Sequence, residues 1–380
     1  MKSNTQYPIP RVPNLIKAVA SDNNVKEASF LREWKEENDT ILLTSRTAWS
    51  LLAIALFRIK VQNRPTVSIW FPDYFCNSSI SPLREINANL VFYPILEDGS
   101  PDIESCSKLV SSSGKPDLFI GVHFFGKQMN MANAYDFAKQ NGAWLVEDSA
   151  HTLFPDNDSL SHGHFILFSP HKFLAIPDGA LLIIKEKKLL QDYSLGTSPL
   201  KSIVEEIYKK SSENSFRSII WVVKRILQKL GIRRRDNSGF PMSEDPIIMN
   251  TRNFISPVMS TFSKKLLAEE DLKKEIEIRK DNAEKWKYFL KDKKILYQEI
   301  FASRKASSPY LFGIMLETPQ ICEELYTTLK LEGIPVSTWP DLPPELDSDR
   351  KRHQKALSLR MSSLFFPIHS NFDIDRYFSG

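Results

Sequence analysis

Cysteine is scarce in this 380-residue sequence, and the three present stand far apart: Cys76, Cys106 and Cys322. With no CxxC pair and no Cys/His cluster, nothing suggests a zinc site or a disulfide framework, and a reducing cytosol fits best. Long hydrophobic runs are also lacking. No window reaches the ~18 apolar residues that a membrane-spanning helix needs, and the opening MKSNTQYPIPRVPNL has no apolar core of a signal peptide. A soluble, cytoplasmic protein is expected. Nor is there an excess of charge of one sign. Fifty Lys and Arg against 46 Asp and Glu give a formal net charge of +4, and the basic residues are mostly interspersed with acids, unlike the concentrated basic face of a nucleic-acid binder. Internal repeats and low-complexity tracts are missing too.

What is present is ordinary globular material, 42% hydrophobic and 25% charged, long enough for one large domain and a smaller one. After a Pro-punctuated first 40 residues with a short helix expected over Val25–Glu37, ILLTS leads into TAWSLLAIALFRI, an apolar-periodic helix for which Thr44 or Ser45 would be the N-cap. Strand-like pieces then follow at 66–71, 89–95, 117–125, 143–148, 164–169 and 179–185, with helical patterns between them, clearest at 131–142. Short, nearly continuous apolar strands alternating with helices indicate an α/β fold, its mostly parallel sheet covered on both faces. A less regular stretch with an atypical helical segment at about 190–245 follows. Then come a long charged helix over about Phe262–Lys291, a strand in PYLFGIML, a helix in ICEELYTTLKLEG, a strand in IPVST and a closing helix in FDIDRYF. The expected division is a large domain over 1–260, then the linking helix and a small α+β domain over 261–380.

Three landmarks fall in order. TSRTA (44–48) opens a helix, VEDSAH (146–151) ends a buried strand on an acid, and SPHK (169–172) follows another strand. In an α/β sheet, ligands collect where strands end and helices begin. A helix N-terminus with free N–H groups can hold a phosphate, and Ser45, Arg46 and Thr47 add hydroxyls and a charge there. A strand-end acid such as Asp148 can keep a pyridine-type nitrogen protonated, and a nearby lysine, Lys172, can bond a carbonyl covalently and then shuttle a proton. Ser169, three residues before the lysine, could turn toward the same phosphate. Each alone has a plainer explanation: a solvated lysine, a capping acid, a core histidine at 151, an ordinary capped helix. Their joint order is what points to chemistry.

That order resembles the DegT/DnrJ/EryC1/StrS aminotransferases, pyridoxal-phosphate (PLP) enzymes of fold type I that mostly aminate nucleotide-linked keto sugars. TSRTAWSLLAIAL resembles their phosphate loop and helix, FPDYFCNSSI a strand end, HFFGKQMNM the H-x-x-G stretch, VEDSAHTL the acid motif and FSPHKFLAIPDGALLII the lysine loop. MNTRNFIS, IRKDNAEKW, LEGIPVSTWP and LFFPIHS extend the similarity, which spans roughly 35–375. The resemblance implies PLP as cofactor, Lys172 as the Schiff-base lysine and Asp148 as the partner of the ring nitrogen. It also implies His151 on the ring's 3-oxygen side, Ser45 and Arg46 in the phosphate loop, and Asn250 reaching the phosphate of the other subunit's cofactor, hence a homodimer. No metal is implied. The amino donor would be an amino acid, with glutamate the usual choice.

Four departures accompany it. Ser45 and Arg46 stand where the family usually has glycine and threonine, and Leu167 replaces a serine. Cys76 replaces the aromatic that stacks on the ring, so Tyr74 or Phe75 would have to serve, and WPDLPPEL replaces small-domain histidines. They keep open a member altered for binding or regulation. A PLP-dependent sugar dehydratase is the other alternative, although such relatives typically carry histidine at the lysine position. Finally, FRSIIWVVKRILQKLGIRRR (216–235) is a basic amphipathic helix. It can pack on its own domain or dimer partner, the favoured reading, or lie on an anionic membrane.

Overall fold

The computed structural model describes residues 8–20, 27–34, 36, 38–155, 162–209, 215–229, 240 and 256–378. Asn250 lies outside them, as do 230–235 of the basic stretch.

Seven strands make the central sheet: β1 (Asp39–Thr44), β2 (Ser68–Pro72), β3 (Asn89–Tyr93), β4 (Leu118–Val122), β5 (Trp144–Ser149), β6 (Phe165–Phe168) and β7 (Ala180–Lys185). Their spatial order is β1-β7-β6-β5-β4-β2-β3. Neighbours pair in parallel from β6 across to β3, while β7 runs antiparallel to both β6 and β1. The expected α/β, mostly parallel sheet is therefore present. β4 and β5 are buried at every residue, because helices cover both faces and leave no polar side for alternation to record.

The helix Thr47–Gln62 packs behind the sheet with Leu51, Ile54 and Phe57 fully buried. It begins later than expected. Its N-cap position is Arg46, in extended conformation and with no side-chain capping bond, because Thr44 Oγ1 instead bonds Ser50 Oγ and the Arg46 carbonyl.

The expected long helix is two. Thr261–Ala268 is capped by Ser260 and Leu272–Asp292 by Asp271, whose carboxylate accepts the Lys274 N–H at 3.1 Å. An N-cap inside an amphipathic pattern breaks the helix without breaking its period. A second sheet follows, β8 (Gln298–Glu299), β9 (Phe312–Met315) and β10 (Ser363–Phe366), antiparallel throughout. IPVST makes no strand there; only Ser337 forms an isolated bridge, to Phe365. FDIDRYF closes as a single 3₁₀ turn, Asp375–Tyr377. The stretch read as less regular is helical at Glu186–Tyr193, Ser198–Lys209 and Ser215–Lys229.

On Ser215–Lys229, Trp221 packs against the core, but Ile220, Val223 and Leu227 are exposed, so the apolar face is only partly covered. Among the described residues no helix is long and apolar enough to cross a membrane.

Candidate active site

The C-terminal ends of β2, β5 and β6 meet at one edge of the sheet, where a parallel sheet opens a crevice. β2 leads into Tyr74 and Phe75, β5 ends through Asp148 to His151, and β6 passes through Ser169 into a one-turn helix, Pro170–Phe173, that carries Lys172. Tyr74, Phe75, Asp148, His151 and Lys172 line one narrow pocket, with Cys76, Val122, Phe124 and Trp339 also on its wall. A larger open cleft lies across Phe125, with Lys127, Lys280, Lys287 and Glu299 on its walls, but neither Asp148 nor Lys172 reaches it. Among the described residues no cluster of His, Cys, Asp and Glu could hold a metal ion.

Burial sets the electrostatics of the pocket. It pushes the Asp148 carboxyl above its ordinary range, against the pull of the Lys172 charge and the Ala150 N–H, which donates to Asp148 Oδ1 at 2.9 Å. It pushes the Lys172 amine below the usual lysine value, with Asp148 opposing. Desolvation disfavours both charges and their mutual attraction restores part of each. A lysine so placed is more often neutral, hence nucleophilic, than one in water. His151 is held well below its ordinary value, first by burial and then by Lys172. The neutral ring lies between Phe125 (5.4 Å, 23°) and Tyr310 (4.7 Å, 20°). Its Nδ1 accepts the Phe125 N–H at 3.4 Å, which leaves the ring proton on Nε2.

The expected phosphate loop sits beside the lysine. Ser45 is fixed by its backbone: its N–H donates to the Pro257 carbonyl and its own carbonyl accepts the Gly179 N–H of the lysine loop, at 2.8 and 2.9 Å. Its hydroxyl is fully buried and has no partner in the chain. Thr47 is buried at the first helical turn. Arg46 turns its guanidinium onto the carbonyls of Ser45 and Pro177, at 2.8 and 3.0 Å, and burial lowers its pKa to about 10. Ser169 Oγ lies 2.9 Å from Nδ1 of His171, so its hydroxyl already has a neighbour. The same Nδ1 is 2.9 Å from the Gly179 carbonyl, which only accepts, so Nδ1 carries the proton.

Both aromatics expected to serve in place of the residue at Cys76 line the pocket. Tyr74 stacks on Trp339 at 4.4 Å, and Phe75 packs on Phe71. Sequence reasoning missed His171, Tyr310, Trp339 and Arg279. Tyr310 lies under Lys172, its ring 5.9 Å from Nζ. Arg279, 2% exposed, donates to Glu275, to the Tyr310 carbonyl and to the Phe173 carbonyl. Its place in the R-x-x-NA stretch was the one signal that could have marked it.

The fold has many solved counterparts. Helicobacter pylori PseC, an aminotransferase involved in the biosynthesis of pseudoaminic acid, matches with TM-score 0.66 and 15% identity over 98% of this chain and 95% of its own. A putative sugar aminotransferase from Streptococcus pneumoniae, Spr1654, in its PMP form, matches with TM-score 0.66 and 13% identity over 98% and 96%. DesI, solved in the presence of its TDP-sugar product, matches with TM-score 0.62 and 15% identity over 98% and 84%. The Streptococcus protein has a PLP form as well. The fold is thus the one that these aminotransferase structures share. The model of the DegT/DnrJ/EryC1/StrS aminotransferase family matches residues 28–195, the stretch from before β1 to beyond the lysine loop.

Proposed function

We propose that the protein is a PLP-dependent aminotransferase that moves an amino group from an amino acid, glutamate first among candidates, to a nucleotide-linked keto sugar. The observation that carries the reading is the pairing of a half-buried lysine, Lys172, with a buried strand-end acid, Asp148, in one pocket of this fold. PseC, involved in the biosynthesis of pseudoaminic acid, and DesI, solved with its TDP-sugar product, support the sugar and its nucleotide.

The residues present fit the cofactor. The Ser45 hydroxyl, buried without a partner, lies at the start of a helix whose N-cap supplies no side-chain bond; both are donors that a phosphate would satisfy. Ser45, Thr47 and that helix start would hold the phosphate, with Arg46 and Ser169 adjoining. Asp148 would face the ring nitrogen, His151 the ring's oxygen side, and Lys172 would make the covalent link. When bound, the ring supplies an electron sink for charge developing at the donor's α-carbon.

The remaining work falls to the chain. Asp148, whose buried carboxylate needs a positive partner, would keep a proton on the basic nitrogen it faces. Lys172 Nζ, its basicity lowered by burial, would take the α-proton of the donor and return it on the far side of the amine nitrogen. His151, neutral with a proton on Nε2, donates a hydrogen bond and adds no charge. Phe124, Phe125 and Trp339 keep water from the exchange. The second half-reaction runs the same proton in reverse on the acceptor carbonyl. A homodimer belongs to this reading, with Asn250, which lies outside the described residues, the one that the family resemblance implies for the partner subunit's cofactor phosphate.

Absorbance of the purified, PLP-loaded protein tests the proposal. The visible band of lysine-bound cofactor is expected to disappear on adding glutamate, and Lys172→Ala is expected to lack that band. A wild type whose band glutamate leaves unchanged removes the transaminase reading.

A further inference from the structure

The stretch that departs most from the family pattern carries an aromatic residue into the pocket. Trp339 is 6% exposed and lies face to face with Tyr74, at 4.4 Å and 25°, with its edge toward Phe125 and His151. The residues after it are strapped to the chain beyond β2. Asn77 Nδ2 donates to Asp341 at 2.9 Å, Arg84 grips Glu345 with two bonds at 2.6 and 2.8 Å, and His353 Nδ1 lies 3.1 Å from Asp73. The segment that follows the indole is therefore fixed by the fold, and a substrate contact requires such support.

Two polar atoms in this stack have no partner. Tyr74 is fully buried and its hydroxyl is unbonded; the indole Nε1–H of Trp339 is unbonded too. Buried donors are nearly always satisfied; the indoles of Trp70 and Trp144 are unbonded too, but Tyr74 and Trp339 line the pocket, where a ligand can supply acceptors. Neither group is charged, since burial holds the tyrosine hydroxyl protonated. Their chemistry suits a neutral, hydroxylated ring better than a carboxylate: oxygen atoms accept the two hydrogen bonds, and the apolar C–H face of a saturated ring lies against indole.

We propose that Trp339 and Tyr74 form the acceptor subsite, in which the indole is the platform for the sugar ring and the two free donors read its oxygens. The inference rests on the sugar-aminotransferase reading and adds to it the residues that select a ring over an open-chain acceptor. No bond is made or broken by either residue; both act by binding.

The test uses the amine-loaded protein with two acceptors, 2-oxoglutarate and TDP-4-keto-6-deoxyglucose. Trp339→Ala is expected to lower the ratio of kcat/KM for the sugar over that for 2-oxoglutarate by about ten- to a hundredfold, the scale of a lost pocket contact. Trp339→Phe, which keeps a ring but no N–H, should lose less, and it carries the test should the alanine variant not fold. Calorimetric titration of the sugar should show the same order of affinities. An unchanged ratio overturns the inference, and so does loss of the visible cofactor band in both variants, because Trp339 then serves the cofactor. A wild type that uses 2-oxoglutarate but rejects the sugar overturns both the inference and the sugar acceptor. One that does not respond to glutamate fails earlier, at the aminotransferase reading itself.

Discussion

The Arg279 guanidinium donates to the Phe173 carbonyl at 2.6 Å, and so ties the helix Leu272–Asp292 to the residue directly after Lys172. The same group holds the Tyr310 carbonyl at 2.8 Å and the Glu275 carboxylate at 2.7 Å. Arg279→Ala would leave that buried carboxylate without its counter-charge, with only the Ser370 N–H at 3.3 Å, at a cost of about 3–5 kcal/mol. Denaturant unfolding should show the loss. Arg279→Lys should recover only part of it, because an ammonium cannot serve three acceptors set out for a planar fork. A loss below 1 kcal/mol, on the order of an ordinary surface change, would mean that the linkage carries little.

Ser45→Ala should act with opposite signs on two measurements. A buried hydroxyl with no partner costs about 1–3 kcal/mol, so the cofactor-free variant should unfold at a temperature no lower than the wild type. Its PLP dissociation constant should rise about tenfold, the worth of one hydrogen bond to a charged group. If both quantities stay put, the hydroxyl has no phosphate to serve.

Gly126 is required by two independent facts. Its φ is +76°, and a Cβ there would stand 1.9 Å from the Ser308 carbonyl oxygen. Gly126→Ala is expected to destabilise by about 2–4 kcal/mol, because a backbone crossing must open. The crossing lies beside Phe125, whose N–H meets His151, so cofactor binding should weaken as well. Thermal unfolding read alongside PLP titration checks both.

His164 gives a pH dependence remote from the pocket. Burial lowers its pKa to about 4, against the pull of Asp192, 3.0 Å from its Nε2. The unfolded chain binds a proton below about 6.5 while the folded one resists until about 4. Stability is therefore complete above the upper value and falls as pH drops through that window, by about 3 kcal/mol from this group. His164→Gln should flatten the slope between those limits in chemical denaturation. An unaltered slope would place the acid sensitivity elsewhere.

The order of motifs along the chain announced the large sheet and the pairing of Lys172 with Asp148, because buried parallel strands are short apolar runs and their ends are where ligands gather. β1 was visible only as an apolar segment, since nothing local says that it pairs with a strand some 140 residues away. The break at Asp271 stayed hidden because capping acids are common on helix surfaces too. Trp339 could be noticed as a departure but not placed, for its neighbours Tyr74, Phe125 and His151 come from distant parts of the chain. Tyr310 and His171 carried no signal beyond being aromatic or adjacent to the lysine.

The antiparallel entry of β7 has a kinetic side. The lysine segment spans only the short link from β6 to β7, so its ends meet early and at little entropic cost. Ser45 gains Gly179 as a neighbour only when Thr44 has come to rest against Ala180, the least local pairing in the sheet. Closing so long a loop is among the slow events of folding. A chain caught before it would carry its lysine and acid side by side with no seat for a phosphate, so retention of the cofactor marks a sheet that has finished assembling.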